Sequence, residues 1–362
     1  MDLRFNNGSA LELHPLWLRD NCRCSSCWHS IARERAFDLM SLPLDLGGDV
    51  EITDSGELAV TWSGDGHRSE FCARWLLEHA GAAALRPRRR AWGADLAERI
   101  PILSYDAVMT TDEALYHWCC LLRDDGIAIV RGAPSDPMEV ARVGRRIGFV
   151  WTHYPGEIHD VRPRPDPDSL AYTRLPLPLH TDLPSRISPP GVQLLHCLVN
   201  DAAGGDVLLS DGLSAAAALK DSSPELHRTL TEERVEFRFA SSTVDYRCEA
   251  PILEYDIDGE LLRVRCNGPL LVPPYLPWDR TDRLYRAYRA FLATAADPQH
   301  LVRLRLQAGD ILSFDNQRVL HGRSEFDPVS GTRHLRGCYL DRDELTCRLR
   351  LLEPTSEQKR SA

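Results

Sequence analysis

The sequence lacks any surplus of positive charge. Its formal net charge at pH 7 is −10, and the longest basic stretch, RPRRR at residues 86–90, is interrupted by a proline. A surface that tracks nucleic-acid phosphates needs clustered lysine and arginine. We therefore predict that the protein has no nucleic-acid partner.

Long apolar runs are also missing. No stretch approaches eighteen apolar residues, and the first ten residues, MDLRFNNGSA, contain no apolar segment of signal-peptide length. These features predict a cytoplasmic protein without a membrane partner. The eleven cysteines are an odd number and are mostly scattered. Without a secretion signal, we expect no disulfide framework.

One group of cysteines is compact. Cys22, Cys24 and Cys27 lie in WLRDNCRCSSCWHS, where asparagine and serine residues favour a turn. Zinc takes four ligands, and the fourth is either the adjacent His29 or His67, which follows a Gly/Asp turn and can fold back. We prefer His67. The pattern predicts a closed structural zinc site that stabilises a small domain, and the alternative is a set of reduced, partly buried thiols.

The composition predicts two domains. Residues 1–95 show short strands, a hairpin at GELAV and a short helix near EFCARWLLEH, and the stretch GAAALRPRRRAWG marks the boundary. Residues 96–362 combine many strands of antiparallel type with capped helices such as TDEALYHWCCLLRDDG, and with further helices near 213–231 and 281–296. We predict a mainly β, α+β protein whose second domain is a double-sheet jelly roll.

His180 and Asp182 stand one residue apart in LPLHTDLP. On a strand, alternate residues face the same side, so both side chains would point into one space. Together with the distant His321 they form the 2-His-1-carboxylate set of non-haem iron oxygenases. Arg333, twelve residues after His321, would clamp a carboxylate. A lone HxD is more often an ordinary surface pair, but the combination favours a metal site.

These residues belong to a longer similarity. The stretches LWLRDNCRCSSC, LAYT, LHTD, PPGVQLLHCL, AGGDVLLSDG, GDILSFDNQRVLHGR, TRHL and CYLDRDELTCRLRLL span nearly the whole chain. They resemble the γ-butyrobetaine and trimethyllysine hydroxylase family of iron(II)- and 2-oxoglutarate-dependent dioxygenases, within the TauD/TfdA-like superfamily. The resemblance implies a distorted double-stranded β-helix behind a small zinc-binding β-rich domain. It also implies a homodimer.

The resemblance further implies roles for individual residues. Iron(II), 2-oxoglutarate and O2 would act at the double-stranded β-helix, and a structural zinc ion would lie in the small domain. The implied ligands are Cys22, Cys24, Cys27 and His67 for zinc, His180, Asp182 and His321 for iron, and Arg333 for 2-oxoglutarate. The reaction converts 2-oxoglutarate to succinate and CO2 while an unactivated C–H bond is oxidised.

Residues that hold the substrate in γ-butyrobetaine enzymes are only partly retained. These enzymes surround a trimethylammonium group with aromatic rings, each of which contributes about 0.5–2 kcal/mol. Tyr172 and Tyr339 match two cage positions, and Tyr339 lies on the same strand face as Arg333 if the strand is continuous. Leu183 stands where the family has an aromatic residue.

Other substrate positions also differ. In WTHYPGEIHDV, Pro155 and His159 replace a tyrosine and a tryptophan, although Tyr154 could substitute for its neighbour. Ser169 stands where the family has an amide that binds the substrate carboxylate, and Asn267 keeps a second such amide. The cage as a whole is therefore weakened.

Three further residues are candidates for altered contacts. Val207 replaces a hydroxyl residue near 2-oxoglutarate, and Arg174 and Arg186 could contact the substrate, although a solvated surface position is the alternative for both arginines. We therefore expect an oxygenase that oxidises, most simply by hydroxylation, a small zwitterionic or amino-acid-like molecule other than γ-butyrobetaine.

Two alternatives remain. One is a γ-butyrobetaine or trimethyllysine hydroxylase with a rebuilt cation cage. The other is a non-catalytic binding protein that retains the fold, which the complete set of iron and 2-oxoglutarate residues disfavours. The sequence leaves open whether the product is an alcohol, an alkene or a rearranged skeleton. Asp182 excludes the halogenases of this fold, which need a non-coordinating residue there.

Overall fold

The chain divides into two compact units. The computed structural model describes residues 1–6, 8, 10–80, 89–152, 156–165, 167 and 169–353. The units are Met1–Pro87 and Arg88–Ala362. Trp92 and Leu96, which flank the boundary predicted after residue 95, both lie in an apolar core of the second unit. Residues 86–88 of the basic stretch and the candidate Pro155, with its neighbour Tyr154, lie outside the described residues.

The first unit consists of short elements. They are β1 (Asp2–Arg4), β2 (Ala10–Glu12), α1 (Pro15–Asp20), β3 (Trp28–His29), β4 (Glu34–Arg35), β5 (Gly48–Ile52), β6 (Leu58–Trp62), β7 (Arg68–Phe71) and α2 (Ala73–Ala80). The predicted hairpin is confirmed, because β5 and β6 pair antiparallel with Ile52 opposite Leu58. The stretch LELHPLWL at residues 11–18 begins in strand β2 and continues into helix α1. Pro15 begins α1, where its missing N–H costs no hydrogen bond.

The first half of the second unit alternates helices and strands. Its elements are α3 (Leu96–Arg99), β8 (Ile102–Ser104), α4 (Tyr105–Thr110), α5 (Asp112–Asp124), β9 (Ile127–Arg131), α6 (Glu139–Ile147), β10 (His159–Val161), β11 (Leu177–His180), β12 (Val192–Asn200), β13 (Ala203–Gly204) and β14 (Val207–Asp211). The predicted helix at TDEALYHWCCLLRDDG is confirmed as α5. Its N-cap Thr111 accepts a hydrogen bond from the Ala114 N–H at 3.2 Å.

The second half adds helices and the last strands. They are α7 (Gly212–Ser222), α8 (Pro224–Glu232), β15 (Val235–Ala240), β16 (Asp245–Ala250), β17 (Leu253–Tyr255), β18 (Leu261–Val264), α9 (Trp278–Ala295), β19 (Leu301–Leu304), β20 (Asp310–Asp315), β21 (Val319–Arg323), β22 (Phe326–Asp327), β23 (Arg333–Leu340) and α10 (Arg342–Leu352). The single helix expected near 213–231 is two helices. Pro224 cannot continue α7 and instead begins α8.

Two sheets form the centre of the second unit. One has six strands in the order β10-β23-β12-β20-β9-β8, and the other has four in the order β11-β21-β14-β19. Only β8 and β9 pair in parallel among these strands. Side chains from both sheets, such as Leu195 of β12, Leu209 of β14 and Phe314 of β20, share one apolar core. The sheets therefore pack face to face, and the predicted mainly β, α+β class is confirmed.

Helices cover the outer faces. Helices α4, α5, α6 and α10 pack on the six-stranded sheet through a second apolar cluster that includes Trp118 and Val140. Helices α7, α8 and α9 pack with strands β15, β17 and β18 around Phe237 and Phe291. Within the described ranges, no helix combines the length and apolar composition that crossing a bilayer requires.

A buried ion pair between Arg318 and Asp211 connects strands β14 and β21 of the four-stranded sheet. Arg318, just before β21, donates to both carboxylate oxygens of Asp211 at 2.8 and 2.9 Å. Their side chains are only 2% and 0% exposed. The same carboxylate accepts hydrogen bonds from the backbone N–H groups of Trp92 and Leu213, the latter at the start of α7. The pair therefore fixes β14, β21 and α7 together.

Replacing Arg318 with methionine is expected to lower the free energy of unfolding by about 3–5 kcal/mol, because Asp211 would be left as an uncompensated buried charge. The measurement is urea denaturation followed by circular dichroism. The matched control is Arg286→Met, which removes an exposed pair with Asp282 on α9 and should cost less than about 0.5 kcal/mol. Equal losses in the two variants would contradict this assignment.

Candidate functional site

Two histidines meet at the edge of the four-stranded sheet. His180 ends β11 and lies directly opposite His321 of β21 in the antiparallel pairing. The two ring centroids are 4.2 Å apart. The Asp182 carboxylate completes the group, with Oδ1 3.2 Å from His180 Nε2 and Oδ2 3.6 Å from His321 Nε2. The three candidate ligand atoms thus lie within 4.8 Å of one another.

Asp182 lies beside the histidines, but not because of the strand alternation that the sequence pattern predicts. The chain leaves β11 at His180, so Asp182 lies in the turn beyond the strand and not on the alternating face of it. Asn316 holds this turn, accepting from the Asp182 N–H at 2.8 Å and donating to the Asp182 carbonyl at 3.1 Å. Leu183 then adopts a φ of +52°, in the left-handed region that non-glycine residues rarely occupy. Tertiary contacts therefore bring Asp182 to the histidines.

The protonation of Asp182 and His321 suits a metal ion, and at His180 burial is outweighed by Asp182, which raises the pKa of that imidazole. The two histidines outweigh the effect of burial and hold the pKa of Asp182 well below its usual range. Burial lowers the pKa of His321, which favours the neutral imidazole that binds metals. His180 Nδ1 lies 2.9 Å from the Pro178 carbonyl, which favours a proton on Nδ1 and leaves Nε2 free to ligate. The donor set therefore fits iron(II).

Arg333 lies at the other side of the same space. It is the first residue of β23, is 5% exposed, and donates from Nε to the Gly205 carbonyl at 3.2 Å. Burial lowers its pKa to about 10, with Arg323 adding to the effect, so the guanidinium remains charged at neutral pH. A side chain on Gly205 would come within 2.8 Å of Arg333, and φ is +73° there. This close approach requires glycine.

A cavity of about 990 Å³ contains these groups. Its lining includes the two histidines, the aspartate and Arg333. It also includes most of the substrate candidates predicted from the sequence: His159, Ser169, Tyr172, Leu183, Asn267 and Tyr339. Val207, predicted to lie near 2-oxoglutarate, lines the cavity as well. The strand argument for Tyr339 holds, since β23 carries it and Arg333 to the same cavity.

Arg186 lies elsewhere. It lines a second cavity of about 820 Å³, where its guanidinium stacks 4.2 Å from the Tyr246 ring centroid and 4.8 Å from that of Trp151. Arg174 is exposed and is absent from the described lining of the first cavity. The turn that begins at Leu183 directs Arg186 away from the triad. The structure therefore does not bring these two arginines to the other candidates.

The aromatic candidates already have partners. The Tyr339 ring stacks on His159 with centroids 5.0 Å apart, and its hydroxyl donates to Asp182 Oδ2 at 2.6 Å. The Tyr172 ring lies under the guanidinium of Arg164, whose Cζ is 3.8 Å from the ring centroid. One face of each tyrosine is thus covered by a side chain of the protein itself.

Sequence reasoning missed three residues of this site. They are Asn316, Arg164 and Arg323, whose guanidinium is buried two residues after His321. Arg323 donates to the carbonyls of Ala171, Thr173 and Leu175. Asn316 and Arg323 lie in the GDILSFDNQRVLHGR motif, which offered a signal for both. Nothing in the sequence around Arg164 distinguishes it from a surface arginine.

The first unit contains a second candidate metal site, a cluster of three cysteines and one histidine. His67 Nε2 lies 3.3 Å from the Cys22 sulfur, 3.6 Å from that of Cys24 and 3.5 Å from that of Cys27. Tetrahedral zinc with the usual Zn–S and Zn–N bond lengths separates a sulfur and a nitrogen ligand by about 3.6 Å. The Cys3His cluster therefore fits zinc, and His29 is not part of it.

A buried arginine supports this cluster. Arg19, 2% exposed, donates from Nη1 to the Cys27 sulfur at 3.2 Å and from Nη2 to Asp65 at 2.8 Å. The other Asp65 oxygen accepts from the His67 N–H at 3.0 Å. Such partners around the ligands hold them in position. The arrangement links the cysteine segment to the histidine segment.

Two packed sheets that present two histidines, one aspartate and an open cavity define a non-haem iron oxygenase. Residues 84–339 match the family described as taurine catabolism dioxygenase TauD, TfdA family, and residues 1–76 match the domain described as γ-butyrobetaine hydroxylase-like, N-terminal. The chain belongs to this family, in the branch of the γ-butyrobetaine and trimethyllysine dioxygenases, as its sequence resemblance predicts.

The relatives support that placement. The chain is 41% identical to γ-butyrobetaine dioxygenase of Pseudomonas sp. (strain AK-1), over 96% of this chain and 92% of the relative. It is 27% identical to trimethyllysine dioxygenase of Meyerozyma guilliermondii, over 97% and 93% of the two chains. The solved structure of the non-heme iron oxygenase OrfP in complex with Fe and alpha-ketoglutaric acid shares the fold, with a TM-score of 0.50 and 18% identity over 69% of this chain and 86% of that chain.

The protein is therefore a dioxygenase that uses iron and 2-oxoglutarate, and the predicted enzyme class and cofactors are confirmed. Its relatives act on small molecules, which agrees with the predicted class of partner.

Proposed function

We propose that the enzyme oxidises an unactivated C–H bond, by hydroxylation, of a small zwitterionic or amino-acid-like molecule other than γ-butyrobetaine. In this proposal His180, Asp182 and His321 hold the iron, and Arg333 binds the distal carboxylate of 2-oxoglutarate. The observation that carries the proposal is the cavity, in which a complete iron and 2-oxoglutarate set stands beside an altered cation cage.

The bound iron with 2-oxoglutarate and O2 supplies the oxidant, and 2-oxoglutarate is converted to succinate and CO2. The chain's own residues orient the reactants. Tyr339 holds the Asp182 carboxylate through its hydroxyl, and Asn316 holds the Asp182 backbone. Leu195 and Leu335 add buried apolar side chains to the lining of the cavity that contains Arg333.

Three features argue against a quaternary ammonium substrate. Leu183 cannot supply the aromatic face that the family has at its position, and each lost contact costs about 0.5–2 kcal/mol. The guanidinium of Arg164 covers one face of Tyr172, and His159 covers one face of Tyr339. A trimethylammonium group could use these two ring faces only by displacing Arg164 and His159.

The second candidate function is γ-butyrobetaine hydroxylation. It is favoured by the 41% identity to γ-butyrobetaine dioxygenase of Pseudomonas sp. over nearly the whole chain. In that case, residues other than the described Tyr172 and Tyr339 would have to complete the cage.

Succinate formation separates the two functions. Iron-loaded enzyme is supplied with 2-oxoglutarate, air and one of a panel: γ-butyrobetaine, trimethyllysine, their unmethylated analogues, and small amino and phosphono acids. We expect weak, poorly coupled turnover with γ-butyrobetaine and coupled turnover with another member. Saturation by γ-butyrobetaine at micromolar concentration, with equal amounts of succinate and carnitine, would overturn the proposal.

Replacing Arg333 with glutamine is expected to raise the KM for 2-oxoglutarate about 30- to 900-fold. The buried carboxylate would lose a charged hydrogen-bonding partner worth about 2–4 kcal/mol. Arg303→Gln is the matched control, because Arg303 is an exposed arginine on β19 of the four-stranded sheet and does not line the cavity. The KM of this variant for 2-oxoglutarate should remain within about threefold of the wild-type value. An unchanged KM in Arg333→Gln would exclude the assigned role.

The N-terminal unit completes the proposal. We propose that Cys22, Cys24, Cys27 and His67 bind a structural zinc ion in a small zinc-binding domain, and that residues after it form the double-stranded β-helix. The family resemblance also leads us to propose a homodimer. Light scattering coupled to size exclusion tests it, and a single species with the mass of one chain would contradict it.

A further inference from the structure

Arg164 and Tyr172 form one wall of the large cavity. Besides the stacking of guanidinium on ring at 3.8 Å, the Arg164 backbone N–H donates to the Tyr172 carbonyl at 3.0 Å. Both residues line the cavity. A cation within about 6 Å of a ring centroid uses the ring's negative face. This face of Tyr172 therefore already holds a cation, which belongs to the protein.

The charges around the cavity favour an anion. Among its described lining residues there are four arginines, and Asp182 is the single carboxylate. Three of the arginines have other partners. Arg238 forms a two-pronged pair with Asp245 at 2.9 and 3.1 Å, Arg323 donates to backbone carbonyls, and Arg333 faces the proposed 2-oxoglutarate position.

Arg164 is the remaining arginine. Within the part of the chain that the structure describes, it forms no ion pair with an acidic side chain, and its contact is the Tyr172 ring. It is half-buried at the cavity wall. A guanidinium whose Cζ lies 3.8 Å from a ring centroid can still bind a carboxylate or phosphonate through its planar set of N–H groups, with two parallel hydrogen bonds.

The wall is fixed relative to the triad. Arg323 follows His321 on β21 and donates to the carbonyls of Ala171 at 3.2 Å and of Thr173 and Leu175 at 2.7 Å each. These carbonyls lie on both sides of Tyr172 in the chain. Strand β21, which carries the candidate iron ligand His321, therefore also holds the segment that contains Tyr172. An anion bound at Arg164 would thus have a set distance from the reacting centre.

We propose that Arg164, supported by the Tyr172 ring, binds the anionic group of the substrate. The substrate class is then an acid, carboxylate or phosphonate, whose anionic end occupies the place where the γ-butyrobetaine enzymes hold a quaternary ammonium group. This inference rests on the proposed function and defines the charge of one end of its substrate.

Binding of simple probes tests the inference. The full-length enzyme is loaded with iron(II) and saturated with 2-oxoglutarate without oxygen, so that Arg333 is occupied. Butanoate, propylphosphonate, butanamide and butyltrimethylammonium are then titrated, and the change in the visible iron–2-oxoglutarate absorption band is followed. We expect at least one of the two anions to bind more tightly than the amide and the cation, and the pair of anions distinguishes carboxylate from phosphonate recognition.

Variants locate the effect. Arg164→Gln should weaken binding of the preferred anion about 10- to 100-fold without affecting butanamide, since a charged hydrogen bond contributes about 1.5–3 kcal/mol. Arg164→Lys should restore part of the affinity. Arg162→Gln is the matched control, because Arg162 is exposed two residues away and does not line the cavity. An unperturbed absorption band in each variant before titration verifies that the fold is intact.

The outcomes separate this inference from the proposed function. The inference is overturned if neither anion binds, if Arg164→Gln binds the anion as tightly as wild type does, or if butyltrimethylammonium binds best. Efficient turnover of γ-butyrobetaine would overturn the proposed function alone. The inference would survive that result if Arg164→Gln still weakened the binding of anions.

Discussion

Replacement of Asp182 by alanine is expected to reduce succinate formation roughly a thousandfold, which corresponds to about 4 kcal/mol of activation free energy. The carboxylate lies 3.2 and 3.6 Å from the two histidine nitrogens, and the pKa of Asp182 is held well below its usual range, so it is a permanent anion in the set. Two neutral imidazoles without it form a weaker and incomplete site for iron(II).

The measurement is succinate formation at saturating iron, together with iron content after desalting. Asp221→Ala, at the exposed end of α7, is the control and should match wild type. If Asp182→Ala kept its iron and more than a tenth of the wild-type rate, Asp182 would not be a ligand.

Removal of zinc is expected to unfold the N-terminal unit. Structural zinc contributes about 10–16 kcal/mol to the folding of comparable peptides. Among the described residues of this unit the apolar core is small, with nine buried members that include Trp62, Leu76 and Phe71. Such a core cannot replace the metal.

Amide hydrogen exchange of residues 10–80, read by mass spectrometry before and after chelation, measures this effect. Cys24→Ala should reproduce the rapid exchange and lose zinc. Cys72→Ala alters an exposed cysteine of the same unit that lies outside the cluster, and it should keep zinc and protection. Unchanged exchange after complete zinc removal would show that the cluster does not stabilise the fold.

Local patterns in the sequence predicted much of this molecule. The three cysteines lie close together in the chain on short turns, so their own convergence follows from local backbone geometry. His67 is 40 to 45 positions away and is brought to them by the folding of the unit. The helix at residues 112–124 and the hairpin before residue 62 follow from capping and alternation. The division between α7 and α8 could also have been predicted, because Pro224 cannot continue a helix and is favoured at the start of one.

Other features depend on distant contacts. The pattern identified His180 and Asp182, but the reason for their proximity is the bond network of Asn316, 134 positions from Asp182, and not strand alternation. Arg186 follows the HTD motif closely, yet the left-handed conformation of Leu183 turns the chain toward a different cavity. The contact of Arg164 with the Tyr172 ring joins a loop residue to the end of a short 3-10 helix (Leu170–Tyr172) and leaves no periodic signal in the sequence.

The most direct test of the central claim is an anaerobic titration of the wild-type protein with iron(II) in the presence of 2-oxoglutarate. Because His180, Asp182 and His321 form a single triad in the described chain, the visible metal-to-ligand absorption band should appear and saturate at one iron per chain. Absence of the band, or saturation that is unaffected by Asp182→Ala, would contradict the assignment of the iron site.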